Sequence, residues 1–351
     1  MLLFVPMLAG HAAATDDFDT QKLTDALPDE AYDWLQDFSP RSLPDSSLLE
    51  SVIGHITEGV AAILPQMCKT AGVLLTVCVL VSLGNALDLT GGAQQYILLA
   101  GVTAIGAAAL TDFDSYLSEG LSSLQSLSDY SRVLLPTLAS TAAMSGAVSS
   151  AAAKYAATAL FMDILLSVSN SVIAPCISGY AALSLAEAAV GNEILKAARK
   201  LLKGVCTALL SAAALGCTVW LSVTGVISGA VDSTAAKAAK TAVSAALPIV
   251  GGILSDAAGL LTAAAGTLRV SVGVFGMLAV LCISAGPILT VGARYLVFKV
   301  TAAVCSCVAD RRLSELVDNL GGCFGMILAL NGTAALMLFL SLFSLIGSVP
   351  T

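Results

Sequence analysis

Charged side chains are scarce in this sequence. Only 11% of its 351 residues are Asp, Glu, Lys or Arg, against about 25% in an ordinary soluble domain. Hydrophobic residues make up 57% of the chain, and the mean hydropathy is +0.89. So few charges cannot cover the exterior of a water-soluble protein of this length, which excludes a soluble enzyme and a disordered chain. The net charge of −8 also opposes binding to nucleic-acid phosphates.

Residues and motifs that support catalysis are scarce as well. The chain has two histidines and 5% aromatic residues. It contains no G-x-x-x-x-G-K-[S/T], H-E-x-x-H or G-x-S-x-G motif, so it lacks the sequence signatures of a P-loop ATPase, a zinc protease and a serine hydrolase. Nearly all of the nine cysteines lie in apolar segments, where a thiol behaves as a small hydrophobic group. We therefore expect no enzymatic activity, no cofactor and no metal.

Long uncharged stretches are present instead. A membrane-spanning helix needs about 20 apolar residues. The candidate stretches are Thr70–Leu87, Leu89–Thr111, Val133–Ala153, Ile164–Ala186, Gly204–Val231, Val270–Ala293 and Asn319–Thr351. They are rich in Ala, Gly and Ser, which allow helices to approach closely within a membrane. The sequence predicts an all-α polytopic membrane protein with about six to eight transmembrane helices, a broken or re-entrant segment and amphipathic interfacial helices.

The acidic residues are concentrated near the N-terminus. Between Thr15 and Glu58 there are eleven acidic residues and only two basic ones, Lys22 and Arg41. Before them, a short apolar run is followed by Ala12-Ala13-Ala14, a pattern typical of a secretory signal peptide although the usual basic start is missing. We therefore expect a signal peptide at 1–14, an acidic extracytoplasmic head at 15–60 and a membrane domain at 61–351.

Two segments have amphipathic helical periodicity. In Asp112–Arg132 the apolar residues recur at helical spacing between Asp, Glu and Ser, which predicts a helix at the membrane interface. Ile194–Lys203 predicts a basic helix whose apolar residues share one face, and we expect it to lie on the cytoplasmic side. Its candidate functional residues are the four cations Lys196, Arg199, Lys200 and Lys203.

Counting crossings from an external head conflicts with the positive-inside rule. The cluster at 196–203 should be cytoplasmic, which requires an odd net number of crossings within 133–186, yet the length of that stretch suits two. We therefore expect part of 133–186 to be re-entrant. Polar residues at membrane depth are functional candidates by default, and within this stretch they are Asp163 and Asn170.

A second candidate motif lies after the stretch that begins at Asp232 and contains Lys237 and Lys240. Pro248 removes a backbone donor, and two glycines loosen the helix after it. Broken backbone at membrane depth is tolerated against protein or a wet cavity. The alternative is that this stretch follows the membrane surface with its acidic residue in water. The candidate residues are Pro248, Gly251, Gly252, Ser255 and Asp256.

The stretch from Ala235 onward resembles a known family. Ala-Ala-Lys237-Ala-Ala-Lys240-Thr-Ala, followed by Leu247-Pro248-Ile-Val-Gly251-Gly252-Ile-Leu-Ser255-Asp256-Ala257, is similar to the signature of the stage III sporulation protein AE family. The run Asn170-Ser-Val-Ile-Ala-Pro175, the basic helix and the order of signal peptide, head and membrane body also resemble that family. Its members carry no catalytic residues that could be transferred to this chain.

The resemblance implies a cellular setting. Members belong to a secretion-like assembly that connects the mother cell and the forespore of an endospore-forming bacterium. The implied partners are the other stage III sporulation A-operon proteins, including a separate ATPase and ring-forming subunits, a channel partner in the forespore and the lipid bilayer. We expect a non-enzymatic membrane subunit in the mother-cell membrane around the forespore. The alternative is a stand-alone secondary transporter with its site near Asp163 and Pro248–Asp256.

Overall fold

Ten α-helices make up nearly all of the described chain. A computed structural model describes residues 20–35, 46–86, 92–111, 113–144, 148–246 and 251–347, without the side chains of 20, 21, 30, 46–53, 55, 56 and 224–265. The helices are α1 (Thr20–Asp25), α2 (Asp29–Leu35), α3 (Ser46–Ala86), α4 (Ala93–Leu110), α5 (Phe113–Met144), α6 (Val148–Val168), α7 (Ala174–Val190), α8 (Glu193–Ala246), α9 (Gly251–Val308) and α10 (Arg311–Ile346). No strand occurs in these residues.

Six helical segments are long and apolar enough to cross a bilayer. Their mean hydropathies lie between 1.6 and 2.2, and each exceeds the length of about 20 residues that a crossing needs. They are Thr57–Ala86, Ala93–Met144, Val148–Val190, Glu193–Val223, Gly266–Val308 and Arg311–Ile346. The predicted all-α polytopic membrane fold is therefore confirmed.

Contacts between the segments show that consecutive ones run in opposite directions. The hydroxyl of Ser82, near the end of α3, donates to the carbonyl of Val308 at the end of α9, 2.7 Å away, so these two helices are parallel. On α6, Lys154 Nζ donates to the carbonyl of Ser344 on α10 at 2.7 Å, which makes these two antiparallel. The α7–α8 and α9–α10 connections therefore lie at one end of the bundle, and the C-terminus of α10 lies at the other.

The second segment differs from the prediction. The stretch Leu89–Thr111 was expected to cross by itself, but α4 and α5 follow one another in a single direction. A Cβ on Gly101 of α4 would meet Leu313 at the start of α10, Phe113 meets the ring of Phe324 further along, and Leu138 of α5 lies near the end of α10 beside Gly273. The apolar face predicted for Asp112–Arg132 thus packs on α9 and α10 instead of resting alone on a membrane surface.

This arrangement removes the conflict in the crossing count. Val133–Ala153 contains the end of α5 and the start of α6, and Val148–Val190 forms one segment. Three segments therefore separate the acidic head from the basic cluster at 196–203. A re-entrant stretch in 133–186 is no longer needed to give an odd number of crossings, because α4 and α5 together form one candidate crossing; the re-entrant stretch itself stays a prediction.

Helices α9 and α10 form the central antiparallel pair. Glycines bring their backbones and those of their neighbours together, as expected for small-residue packing in membranes. A Cβ on Gly321 of α10 would lie 2.9 Å from the Cβ of Phe298 on α9, and one on Gly276 of α9 would lie 2.6 Å from the side chain of Leu134 on α5. A larger residue at Gly321 would force α9 and α10 apart, and one at Gly276 would force the Leu134 side chain to move.

A π-helical turn, Ser169–Ile173, joins α6 to α7. The Ala174 N–H donates to the carbonyl of Ser169, five residues earlier. Pro175 follows at the start of α7, and because it has no N–H it cannot bond to the carbonyl of Ser171. The wide turn therefore falls where a regular helical ladder would already be broken.

The N-terminal helices α1 and α2 pack on the membrane bundle against α5 and α9. Their inward side chains recur at every fourth residue and are at most 7% exposed. These are Leu23, Leu27, Ala31 and Leu35. The part of the acidic head that the structure describes is thus attached to the bundle along one apolar face.

Candidate functional site

The predicted basic helix forms the first turns of α8, but its cations do not share one environment. Arg199 is 8% exposed and points into the bundle, whereas Ile194 and Leu201, expected on the apolar face, are 75% and 64% exposed. Lys200 and Lys203 are exposed. The helix is present as predicted, and its buried face contains an arginine.

Arg199 is the centre of a buried polar network that joins α7, α8 and α10. Its Nε lies 2.5 Å from Oε2 of Glu187, and the two side chains are 10% and 14% exposed. Its Nη1 donates to Oδ1 of Asn319 at 2.7 Å and to the hydroxyl of Tyr180 at 3.4 Å. The guanidinium also lies 5.7 Å from the centre of the Tyr180 ring. A buried guanidinium with this many acceptors fixes the positions of three helices.

Close backbone packing supports this network. A Cβ on Gly322 of α10 would lie 3.0 Å from the hydroxyl of Tyr180, so a larger residue at position 322 would push the Tyr180 hydroxyl away from its place beside Arg199. Gly191 ends α7 in the left-handed region, with φ of 74°, where glycine is favoured. The guanidinium of Arg312 lies directly above it, 3.1 Å from where a Cβ would stand.

The same end of the bundle holds a polar cavity of about 430 Å³. The α7–α8 connection forms one wall and the start of α10 forms the other. Several wall residues are ion-paired, such as Arg311 Nε to Glu315 Oε1 at 2.7 Å. We call this the cationic end of the bundle because seven basic residues are gathered there. These residues are Lys196, Arg199, Lys200, Lys203, Lys299, Arg311 and Arg312.

A second polar region lies between α5 and α9. Arg294 is 5% exposed, donates from Nε to the hydroxyl of Tyr116 at 2.9 Å and from Nη1 to Oγ1 of Thr70 on α3 at 2.7 Å. One turn further along, the hydroxyl of Thr290 donates to Oε1 of Glu119 at 2.7 Å. Charged groups inside a membrane bundle are costly and are usually paired in this way.

The two candidate intramembrane polar residues have partners in the structure. Asp163 accepts a bond from Nη2 of Arg132 on α5 at 3.1 Å, with side chains 61% and 58% exposed. The pair therefore lies on the outer surface of the bundle. Asn170 lies in the π-helical turn, and its Nδ2 donates to the carbonyl of Leu166 at 3.1 Å. The structure does not bring Asp163 and Asn170 together.

The Pro248–Asp256 motif begins between two long helices and continues into the start of the second one. Helix α8 ends at Ala246 and α9 begins at Gly251. Pro248 lies outside the described residues, and so do the side chains of Ser255 and Asp256. The functional role of this motif, which includes Gly252, remains a prediction.

Three further buried cations were missed by the sequence analysis. Besides Arg294, they are Lys154 and Arg269, which are 4% and 1% exposed. Arg269 donates from Nη2 to the carbonyl of Ile346 at 2.6 Å, and Lys154 donates to that of Ser344. Each base sits alone in an apolar stretch, and that isolation was a usable signal. Within the described part of the chain, no group of three or more His, Cys, Asp or Glu is placed to hold a metal ion.

Six candidate crossings, a buried ion pair and small-residue packing define the class: a polytopic α-helical membrane protein. A sequence model of stage III sporulation protein AE matches residues 40–348, which is nearly the whole chain. The chain belongs to the stage III sporulation protein AE family. No curated protein and no solved structure matches it. The resemblance found in the sequence is thereby confirmed, and the chain is a sporulation-associated membrane protein.

Proposed function

We propose that this protein is a non-enzymatic subunit of the secretion-like channel complex between mother cell and forespore. The family match over residues 40–348 is the observation that carries the proposal. The chain supplies the membrane-embedded part, and the implied partners supply the ATPase, the rings and the forespore half of the channel. Tightly packed, glycine-rich helices suit a subunit whose work is assembly within the membrane.

The proposal is tested by co-purification from sporulating cells of the bacterium that encodes the chain. A tagged copy at the native locus should retain the other stage III sporulation A-operon proteins in mild detergent, and its deletion should stop spore development after engulfment. A tagged unrelated polytopic protein is the control. Recovery of the chain alone, together with normal spore yield from the deletion strain, would contradict the proposal.

We place the cationic end in the mother-cell cytoplasm and the head on the other side of that membrane. Seven of the 16 basic residues lie at one end, and cytoplasmic ends of membrane proteins are enriched in Lys and Arg. Along the chain, three candidate crossings separate the described head helices from Lys196, and an odd number of crossings places the two on opposite sides of the membrane.

This orientation predicts the reaction of two introduced cysteines. Asp33→Cys in the head and Asn192→Cys in the α7–α8 connection replace exposed residues. In a chain whose exposed Cys68 and Cys307 are replaced by alanine, a membrane-impermeant maleimide should label Asp33→Cys in intact cells before engulfment is complete. Asn192→Cys should react only after permeabilisation. The reverse pattern would invert the proposed orientation.

The alternative function, a stand-alone transporter, predicts a transported substrate and a carboxylate essential for transport. We expect Asp256→Asn to leave the protein in the membrane at its normal level and to lower spore yield, because it keeps the side-chain shape and removes the charge. A matched control is Asp114→Asn, which removes an exposed carboxylate at the start of α5. Normal spore yield from Asp256→Asn and from Asp256→Ala would show an ordinary interfacial acid, and loss of the protein in both would show a folding residue.

A further inference from the structure

Helices α1 and α2 have two chemically different faces. The inner face carries the apolar stripe of Leu23, Leu27, Ala31 and Leu35. The outer face exposes Lys22, Asp25, Tyr32 and Asp33. The described head is therefore an amphipathic strap that lies on the bundle with its charged side outward.

The strap lies over a cleft whose α5 wall is polar and whose α9 wall is mainly apolar. A cavity of about 380 Å³ lies beneath Pro28, Asp29 and Ala31. We call it the α5–α9 cleft, because its other walls come from those two helices. They are Glu119, Ser122, Ser123 and Ser126 of α5 and Cys282, Ile283 and Pro287 of α9.

The walls of the cleft contain polar groups that would lack hydrogen-bond partners if the strap lay over them permanently. The hydroxyl of Ser123 is buried and has no hydrogen-bond partner among the described residues. Pro287 lies inside α9 and has no N–H, so the carbonyl of Ile283 receives no bond from it. Burial of polar groups beside an apolar stripe is unfavourable unless they are hydrogen-bonded.

The polar character continues deeper into the bundle from the cleft. Glu119 accepts from Thr290, and Arg294 follows Thr290 by four residues on α9 and binds Tyr116 and Thr70. Polar groups thus extend along α5 and α9 from the strap to a buried arginine. Such groups at membrane depth are tolerated against protein or a wet cavity.

The strap is attached to the bundle over a shorter length of helix than any of the long helices. It is held by the side chains of two short helices, of six and seven residues, whereas α9 and α10 are packed along most of their length. Regions with few buried apolar contacts open at lower free energy than the core.

We propose that residues 20–35 form a lid that closes the α5–α9 cleft and that opening of this lid admits water and small polar solutes. The proposal does not depend on the sporulation function, since it concerns only the chain itself. Its test uses purified full-length protein in detergent and the native Cys282, which lines the cleft and is 5% exposed.

The experiment measures the rate at which a sulfonated maleimide modifies individual cysteines, by peptide mass spectrometry. In the variant Leu23→Asn/Leu35→Asn the stripe is broken, and Cys282 should react at least about tenfold faster than in the wild type, because two buried leucines no longer hold the lid. Cys323, which is 1% exposed within the bundle, should keep its wild-type rate. The matched control Tyr32→Asn/Asp33→Asn changes only exposed head residues and should alter neither rate.

An unchanged rate at Cys282 in the stripe variant would overturn the lid. An equal rise at Cys282 and Cys323 would also overturn it, since the head would then be part of the folding core. A crosslink tests the closed position directly: Asp29→Cys should be joined to Cys282 by a short bismaleimide, whereas Tyr32→Cys should not. Failure of Asp29→Cys to crosslink would contradict the closed lid.

Discussion

Replacing Arg199 with methionine is expected to lower the free energy of unfolding by about 3–5 kcal/mol, because the carboxylate of Glu187 would remain buried without its partner. The pair is 2.5 Å apart, and both side chains are nearly buried. Asn319 and Tyr180 would also lose their common donor. The measurement is denaturant unfolding of the purified protein in detergent.

A second substitution separates the charge from the packing. In the double variant Arg199→Met/Glu187→Met no charge is left unpaired, and replacement of both partners by apolar residues is often neutral, so most of the lost stability should return. The control is Lys196→Met, whose partner Glu193 is 3.5 Å away and 84% exposed. An exposed pair contributes only about 0–1 kcal/mol. A double variant as unstable as Arg199→Met would show that the guanidinium acts through contacts other than Glu187.

Replacing Arg269 with methionine is expected to release the last turn of α10. The final carbonyls of a helix have no partners within it, and here Arg269 and Lys154 donate to two of them, on Ile346 and Ser344. Hydrogen bonds to charged groups contribute roughly 1.5–3 kcal/mol each, and a cation near a helix C-terminus is favourable in its own right.

Hydrogen exchange provides the readout for this prediction. Amides at 340–347 should lose protection in Arg269→Met and in Lys154→Met, and more so in the combined variant, while amides in the middle of α10 should not. Arg269→Lys should retain part of the protection because it keeps a donor and the charge. The exposed Lys200→Met is the control. Unchanged protection in the combined variant would mean that α10 is held at this end by apolar packing alone.

Much of the architecture follows from composition and periodicity. Hydropathy locates the crossings because each needs a long apolar segment, and the small residues indicate close helix packing. Composition and periodicity could not predict that α4 and α5, at 93–144, together form one candidate crossing. The first half of that stretch is apolar enough to cross alone, while Phe113 and Leu117 have the pattern of a surface helix. Only their contacts with α10 distinguish a buried stripe from one that faces lipid.

The burial of Arg199 could not be predicted from the residues near it in the sequence. In the sequence Arg199 is one of four cations on an amphipathic helix, and nothing nearby distinguishes it from Lys200. Its burial depends on Asn319, 120 residues away, and on the glycine that leaves room for the Tyr180 hydroxyl. Lone bases such as Arg294 could have been identified, because a charge in an apolar segment requires a partner.

The π-helical turn at Ser169–Ile173 lets the chain carry one extra residue between α6 and α7 without changing the direction in which α7 faces. Each residue of an α-helix turns the chain by about 100°, but a π-helical turn spreads one extra residue over nearly the same rotation. Deleting one residue within the turn would therefore restore regular winding and leave Tyr180 and Glu187 facing Arg199. Deleting one residue between the turn and Tyr180 would instead rotate those two side chains away from Arg199, while Thr158 would stay beside Ser341. Single-residue deletions in this part of the family should therefore be found in the turn and not in the helices beside it.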